Sequence, residues 1–116
     1  MGSGGILASG IARGDVRLYD CTSLDKRRPV IVLTRDAALS YLTSVTVAPI
    51  TSTIRGVPSE VLLGLEDGMK HACAINLHSL ITVSQTWLGK RVAQLTSSRM
   101  DEICTALHFS LGYDQP

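Results

Sequence analysis

At 116 residues, with 45% hydrophobic and 18% charged side chains, the chain is too apolar for a disordered polymer and has room for one compact domain. A formal net charge of +1 excludes a molecule-wide field suited to polyanions, so an anionic partner requires a local cluster of cations. Lys26-Arg27-Arg28 is the densest such cluster, with Arg35 and Arg55 as candidate neighbours in space.

Cys21, Cys73 and Cys104 stand at unrelated spacings and form no CxxC pair or Cys/His ligand set, which argues against a disulfide framework and against a zinc site. Free thiols in a reducing cytoplasm are the simpler reading. Apolar runs such as "VIVL" and "SEVLLGL" are far shorter than the roughly 20 residues of a membrane span. The opening "MGSGGILASG" lacks the charged n-region of a signal peptide. Residues 1–12 therefore read as a flexible lead-in and 13–116 as a single domain.

Taken in chain order, "RGDVRLYD" (13–20) alternates Val16 and Leu18 with Arg17 and Tyr19, the pattern of a half-buried first strand. The polar loop "CTSLDKRR" leads to Pro29 and "VIVLT" (30–34), an aliphatic run that predicts a strand buried on both faces with Pro29 at its first position. "RDAALSYL" (35–42) has helical composition, with Asp36 as N-cap. "SVTVAPIT" (44–51) is the third strand, where Pro49 predicts an edge or a bulge, and "IRGVPSE" is turn chemistry. Further strands are predicted over 60–64, 72–77 and 79–83, the last two nearly continuous. A helical turn at 84–89, capped by Ser84, precedes a final strand at 90–95. In the tail, Met100, Ile103, Cys104, Leu107 and Leu111 share one helical face. Ser97 or Ser98 is the predicted N-cap, Asp101 and Glu102 the acidic first turn, and Gly112 the stop. Short strands with one long terminal helix predict an α+β fold, a small, mostly antiparallel barrel with helices packed on it.

No stretch carries a phosphate-binding glycine loop or a GxSxG nucleophile. Arg28, where a loop enters a buried strand, is either a solvated cation or a rigidly aimed guanidinium of the kind phosphate recognition uses. Thr51-Ser52-Thr53 either closes a turn through its hydroxyls or presents donors to a phosphate. His71, in "DGMKHA", reads as an exposed loop residue, and His108 as exposed on the terminal helix. His78, in "INLHSL", either lines a turn or stacks on a base. Trp87 reads as a packing residue.

The order of the pieces, "RGDV…RRPVIVLTRD…VTVAPITSTIRGVPSEVLL…ACAINLHSLITVS…LGKRVAQL…RMDEICTAL", closely resembles the MazF/PemK family of bacterial toxins over about residues 13–112. Arg-Gly-Asp opens strand one, Arg-Pro-Val opens strand two, and a hydrophobic strand ends in Pro-Ile-Thr-Ser. A Gly-Lys-Arg-Val strand and an amphipathic helix then close the chain. The resemblance implies an SH3-like barrel, a homodimer, and a metal-independent endoribonuclease that needs no cofactor and cuts single-stranded RNA through 2′-hydroxyl attack. It also implies a cognate antitoxin lodged in the RNA groove. The family's catalytic arginine matches Arg28 and its catalytic threonine matches Thr51; Ser52 and Thr53 continue the groove wall. Lys26, Arg27 and Arg55 are candidate phosphate contacts, and Asn76 and His78 candidate base contacts. Residues 20–27 make a shorter loop than is common in the family and lack its Gly-Ser-Glu. A gyrase-poisoning toxin of the CcdB type, which shares the barrel, and a non-catalytic RNA- or protein-binding barrel are the rival readings. The intact arginine and threonine elements favour the nuclease.

Overall fold

The computed structural model of the protein describes residues 10–21 and 26–112, with the side chains at 20, 21, 26 and 27 outside that description. Its elements are β1 (Asp15–Cys21), β2 (Lys26–Val32), α1 (Asp36–Leu39), β3 (Ser44–Thr51), β4 (Glu60–Leu63), β5 (Cys73–Asn76), β6 (Ile81–Ser84), β7 (Leu88–Gln94) and α2 (Ser97–Leu111). Single 3-10 turns at Leu65–Asp67 and Gln85–Trp87 complete them. The strands are antiparallel and hydrogen-bond in the order β4-β5-β3-β2-β1-β7, with β6 added on β3. Because β6 runs through the Gln85–Trp87 turn directly into β7, the ring β6-β3-β2-β1-β7 is completed by the chain and not by a ladder. The result is the small barrel-like, mostly antiparallel sheet with a terminal helix that the sequence predicts.

The β-branched runs explain the layering. In β2 the side chains of Val30, Ile31 and Val32 are all buried, and they divide between two cores. Ile31 joins the main cluster with Ile50, Ile75, Leu77 and Ile103, while Val30 and Val32 join a smaller one with Ile11, Leu39, Val45 and Val47. Burying a side chain of this size contributes about 1.5–3 kcal/mol, more than a typical surface ion pair. Ile11 is 2% exposed, so packing begins inside the stretch read as a lead-in.

β3 is the hinge of the architecture. Its first half pairs with β6 (Val47↔Ile81 is the last pair), and its end pairs with β5 from Ile50↔Ile75 onward. Its other flank pairs with β2. Pro49 falls in the gap between β5 and β6, where no ladder donor is called for. The edge position predicted for β3 is therefore corrected: it is central, and Pro49 marks a change of partner. The buried face changes with it, from Val45 and Val47 to Ala48 and Ile50.

Other departures are local. Pro29 lies inside β2, opposite Leu18, because residues 26–28 extend the strand by pairing with β1. Pairing of β2 with β3 stops at Val30↔Pro49, so Pro29 meets no ladder on that side. α1 is a single turn whose N-cap position is Arg35, and Asp36 accepts instead from the Arg13 backbone N–H at 2.7 Å. β5 and β6 are separated by the turn after Asn76. Ser84 does cap the 3-10 turn, accepting from the Thr86 N–H. α2 is capped one residue earlier than predicted, by Thr96 accepting from the Arg99 N–H, and ends at Gly112 with φ 64°. Asp101 and Glu102 thus lie beyond the first turn. The buried face centres on Ile103 and Ala106, leaving Cys104 and Leu111 exposed. That rotation follows from docking on β4 and from Arg99, whose partners lie on the Leu65–Asp67 turn.

Candidate functional site

A concavity of about 770 Å³ opens where the two flanks of the sheet meet. β1 and β2 contribute Leu18, Arg28 and Pro29; the end of β3 contributes Ile50, Thr51 and Ser52. The segment entering β5 supplies Met69, Lys70, His71 and Cys73, and β7 closes the far side with Lys90, Arg91 and Val92.

Each polar group is aimed by its element. Arg28 stands on β2 opposite Tyr19, whose ring stacks on Trp87 with centroids 6.1 Å apart. Thr51 ends β3 paired with Ala74, and its Oγ1 accepts the Thr53 N–H at 3.1 Å. That bond occupies an acceptor site and leaves the hydroxyl hydrogen free to donate. Gly68 (φ 89°) lets the incoming segment press on β7, since a Cβ there would lie 3.2 Å from the Ala93 Cβ. Asp67, one residue earlier, is gripped by Arg99 of α2 (Nε to Oδ1 2.9 Å) and accepts the Gly64 N–H. The Arg99 hydrogen bond holds the Asp67 carboxyl below the usual range against a smaller opposing effect of burial, and Asp67 in turn raises Arg99.

β7 is held by a carboxylate below the cleft. Asp15, fully buried, accepts from the Ala12 N–H (3.1 Å), Arg17 Nε (3.1 Å) and Gln94 Nε2 (2.9 Å), and lies 3.9 Å from Arg91. Arg17 also donates to the Gly89 and Gly10 carbonyls.

The cleft brings Arg28, Thr51 and Ser52 together. It does not include Thr53, Arg55, Asn76 or His78 in its lining. Arg55 and Gly56 donate their backbone N–H groups to Glu60, and Thr53 is occupied with Thr51. His78 Nδ1 is bonded to the Ser59 hydroxyl, and its N–H to the Asn76 side chain. The Lys26 and Arg27 side chains lie outside the described residues. Lys70, Lys90 and Arg91 are lining residues that the sequence reading passed over, and His71, exposed as it was read, also lines the cleft. The adjacency of "GKR" and "MKH" to strand ends is the one sequence signal they carry. Among the described residues, four cations line the cleft and no aspartate or glutamate does. Among the described residues, no group of three or more His, Cys, Asp and Glu could hold a metal ion.

Comparison with known proteins identifies the family of the chain. Residues 12–111 fit the family described as PemK-like, MazF-like toxin of type II toxin-antitoxin system. The chain is 44% identical over 101 residues to the probable endoribonuclease MazF5 of Mycobacterium tuberculosis, covering 86% of this chain and 92% of that protein. It is 36% identical to endoribonuclease MazF3 of the same species, covering 85% and 96%. The structure of the M. tuberculosis toxin MazF-mt6 superposes with a TM-score of 0.77 at 30% identity, covering 88% and 98%. A mycobacterial endoribonuclease in complex with its cognate antitoxin gives 0.77 at 25% identity, covering 91% and 99%. The match spans nearly the whole described chain, and the chain belongs to the PemK-like, MazF-like toxins of type II toxin-antitoxin systems.

Proposed function

We propose that the protein is a toxin endoribonuclease that cuts single-stranded RNA in the Arg28–Thr51 cleft. The observation that carries this reading is a cleft whose described lining has four cations, two hydroxyls and no carboxylate, in a chain whose net charge is only +1. Such a lining suits a phosphodiester backbone. In the proposed reaction the 2′-hydroxyl attacks the adjacent phosphorus, giving a 2′,3′-cyclic phosphate and a 5′-hydroxyl end. Charge grows on the non-bridging oxygens, and Arg28 offers a forked cation to it while Thr51 donates a hydrogen bond. Lys70, Lys90 and Arg91 extend the phosphate track away from the scissile bond, and Ser52 continues the wall.

A mixed RNA pool incubated in EDTA with the wild type, Arg28→Ala and Thr51→Ala, followed by mapping of 5′ ends, tests the reading. We expect discrete cleavage by the wild type and losses of about 10²–10³-fold for each substitution, the usual scale for one oxyanion donor. A wild type that cuts nothing in any buffer overturns the nuclease. Equal cutting by the substituted proteins overturns the site.

The implied assembly is a homodimer that a cognate antitoxin silences by filling the groove; a strictly monomeric elution volume would contradict the dimer. Among the described residues, no helix is long and apolar enough to cross a membrane. We place the toxin in the cytoplasm with its RNA, and cell fractionation checks that placement.

A further inference from the structure

Attack by a 2′-hydroxyl requires a group that takes its proton, and the cleft lining contains few that can. Among the described residues that line it there is no aspartate or glutamate. Lysine and arginine, as residue types, hold their protons at neutral pH. Burial pushes the Cys73 thiol up, with the charge of Asp67 adding to it, so that thiol also stays protonated. Among the described lining residues, the remaining basic side chain is His71.

Its tautomer is set by the backbone. Nδ1 lies 3.1 Å from the carbonyl oxygen of Ala72. A carbonyl only accepts, so Nδ1 carries the hydrogen, and the neutral ring presents the lone pair of Nε2. The register Thr51↔Ala74 brings the segment that enters β5 beside the end of β3, and His71 and Thr51 line the same cleft. The charged and titratable groups that share the cleft with it are Arg28, Lys70, Lys90, Arg91 and Cys73.

We propose that His71 is the general base of the cleavage, with Nε2 accepting the 2′-hydroxyl proton. This rests on the endoribonuclease reading above. The 2′-oxygen forms its bond to phosphorus as the bond from phosphorus to the 5′-oxygen breaks. The 5′-oxygen leaves with the electron pair and takes a proton from water, and the imidazolium returns its proton to solvent. No oxidant or second reactant is needed.

The test uses an RNA oligonucleotide spanning a site mapped with the wild type, a twin with sulfur at the 5′ bridging position, and a 2′-deoxy twin that cannot react. Single-turnover rates and pH profiles are taken for the wild type, His71→Ala and His71→Gln, with thermal melts verifying the fold. We expect each substitution to slow cleavage by about 10²-fold or more, the typical share of a general base. Affinity for the deoxy twin should be unchanged, the acid limb of the pH–rate profile should disappear, and the sulfur leaving group should not restore the rate. A rate near wild type, a loss confined to binding, or rescue by the 5′-sulfur (the mark of a general acid) each overturns the assignment. Those results presuppose an active wild type. An inactive wild type sinks the nuclease reading first, so the two failures are distinguishable.

Discussion

At the scale of single residues, the buried Asp15 and the half-exposed Thr51 carry opposite kinds of importance. Asp15 accepts from a turn, a strand arginine and a side chain on β7, so its charge is compensated on every side. Replacing it by alanine leaves the Arg17 guanidinium, itself 12% exposed, without its carboxylate. Loss of one partner of a buried pair costs about 3–5 kcal/mol. Asp15→Ala should therefore lower the urea midpoint by that equivalent at constant m-value, and a shift worth under about 1 kcal/mol would contradict the role assigned to it. Thr51→Ala touches only one exposed hydrogen bond, and its stability should stay within about 0.5 kcal/mol of wild type while cleavage collapses. "RGD" marked a strand start in the sequence, but the role of its aspartate was not legible. One acceptor bond spans 79 positions of chain, and no local pattern encodes that.

At the scale of elements, the segment between β3 and β4 depends on one acid. Glu60 accepts the Arg55 and Gly56 N–H groups, the latter at 2.8 Å. Partial burial pushes its pKa up, but the backbone donors of Gly56, Arg55 and Val57 outweigh that and leave it below the ordinary 4.5. A depressed folded-state pKa stabilises above the unfolded value and is lost as pH falls through the folded one. The Arg55 and Gly56 amides should therefore lose hydrogen-exchange protection below about pH 4.5, relative to the rest of the sheet. In Glu60→Gln that acid-dependent step should be absent; if it persists, the loop is held by something else. Legibility at this scale follows the range of the forces. The terminal helix and the Ser84 cap could be read because period and cap chemistry are local. The start of β2 could not, because "KRR" is polar in composition and becomes strand only by pairing with the end of β1. For the same reason Pro29 was placed at the start of β2 and not inside it, and the edge alternative for Pro49 failed.

At the scale of the whole molecule, charge is concentrated and not abundant. Arg28, Lys70, Lys90 and Arg91 come from three separate stretches of a nearly neutral chain, and the fold collects them around one opening. Arg28 and Thr51 of the proposed site were singled out through the order of family motifs. The lysines and His71 were not, because their convergence is a product of sheet topology. If all four cations meet phosphates, counterion release from single-stranded RNA gives a slope of log affinity on log salt of about −0.7 per contact, or about −3 in total. Binding of the uncleavable RNA at several salt concentrations measures this, and Lys90→Ala should flatten the slope by about 0.7 without changing the site cut. A slope near zero would mean that RNA is held elsewhere.

Pro49 has one more effect on this arrangement. An antiparallel strand that slips by one residue turns every side chain to the opposite face, and β3 is exposed to that error on two sides because it serves β2, β5 and β6 in turn. A residue that cannot donate to a ladder prevents either neighbour from zipping past the changeover. The ring is closed between β6 and β7 by a chain connection, so no ladder at that seam adds to the register of β3, and the proline acts as a stop. It keeps Thr51 opposite Ala74, and with that it fixes the face on which the hydroxyl is presented to the cleft.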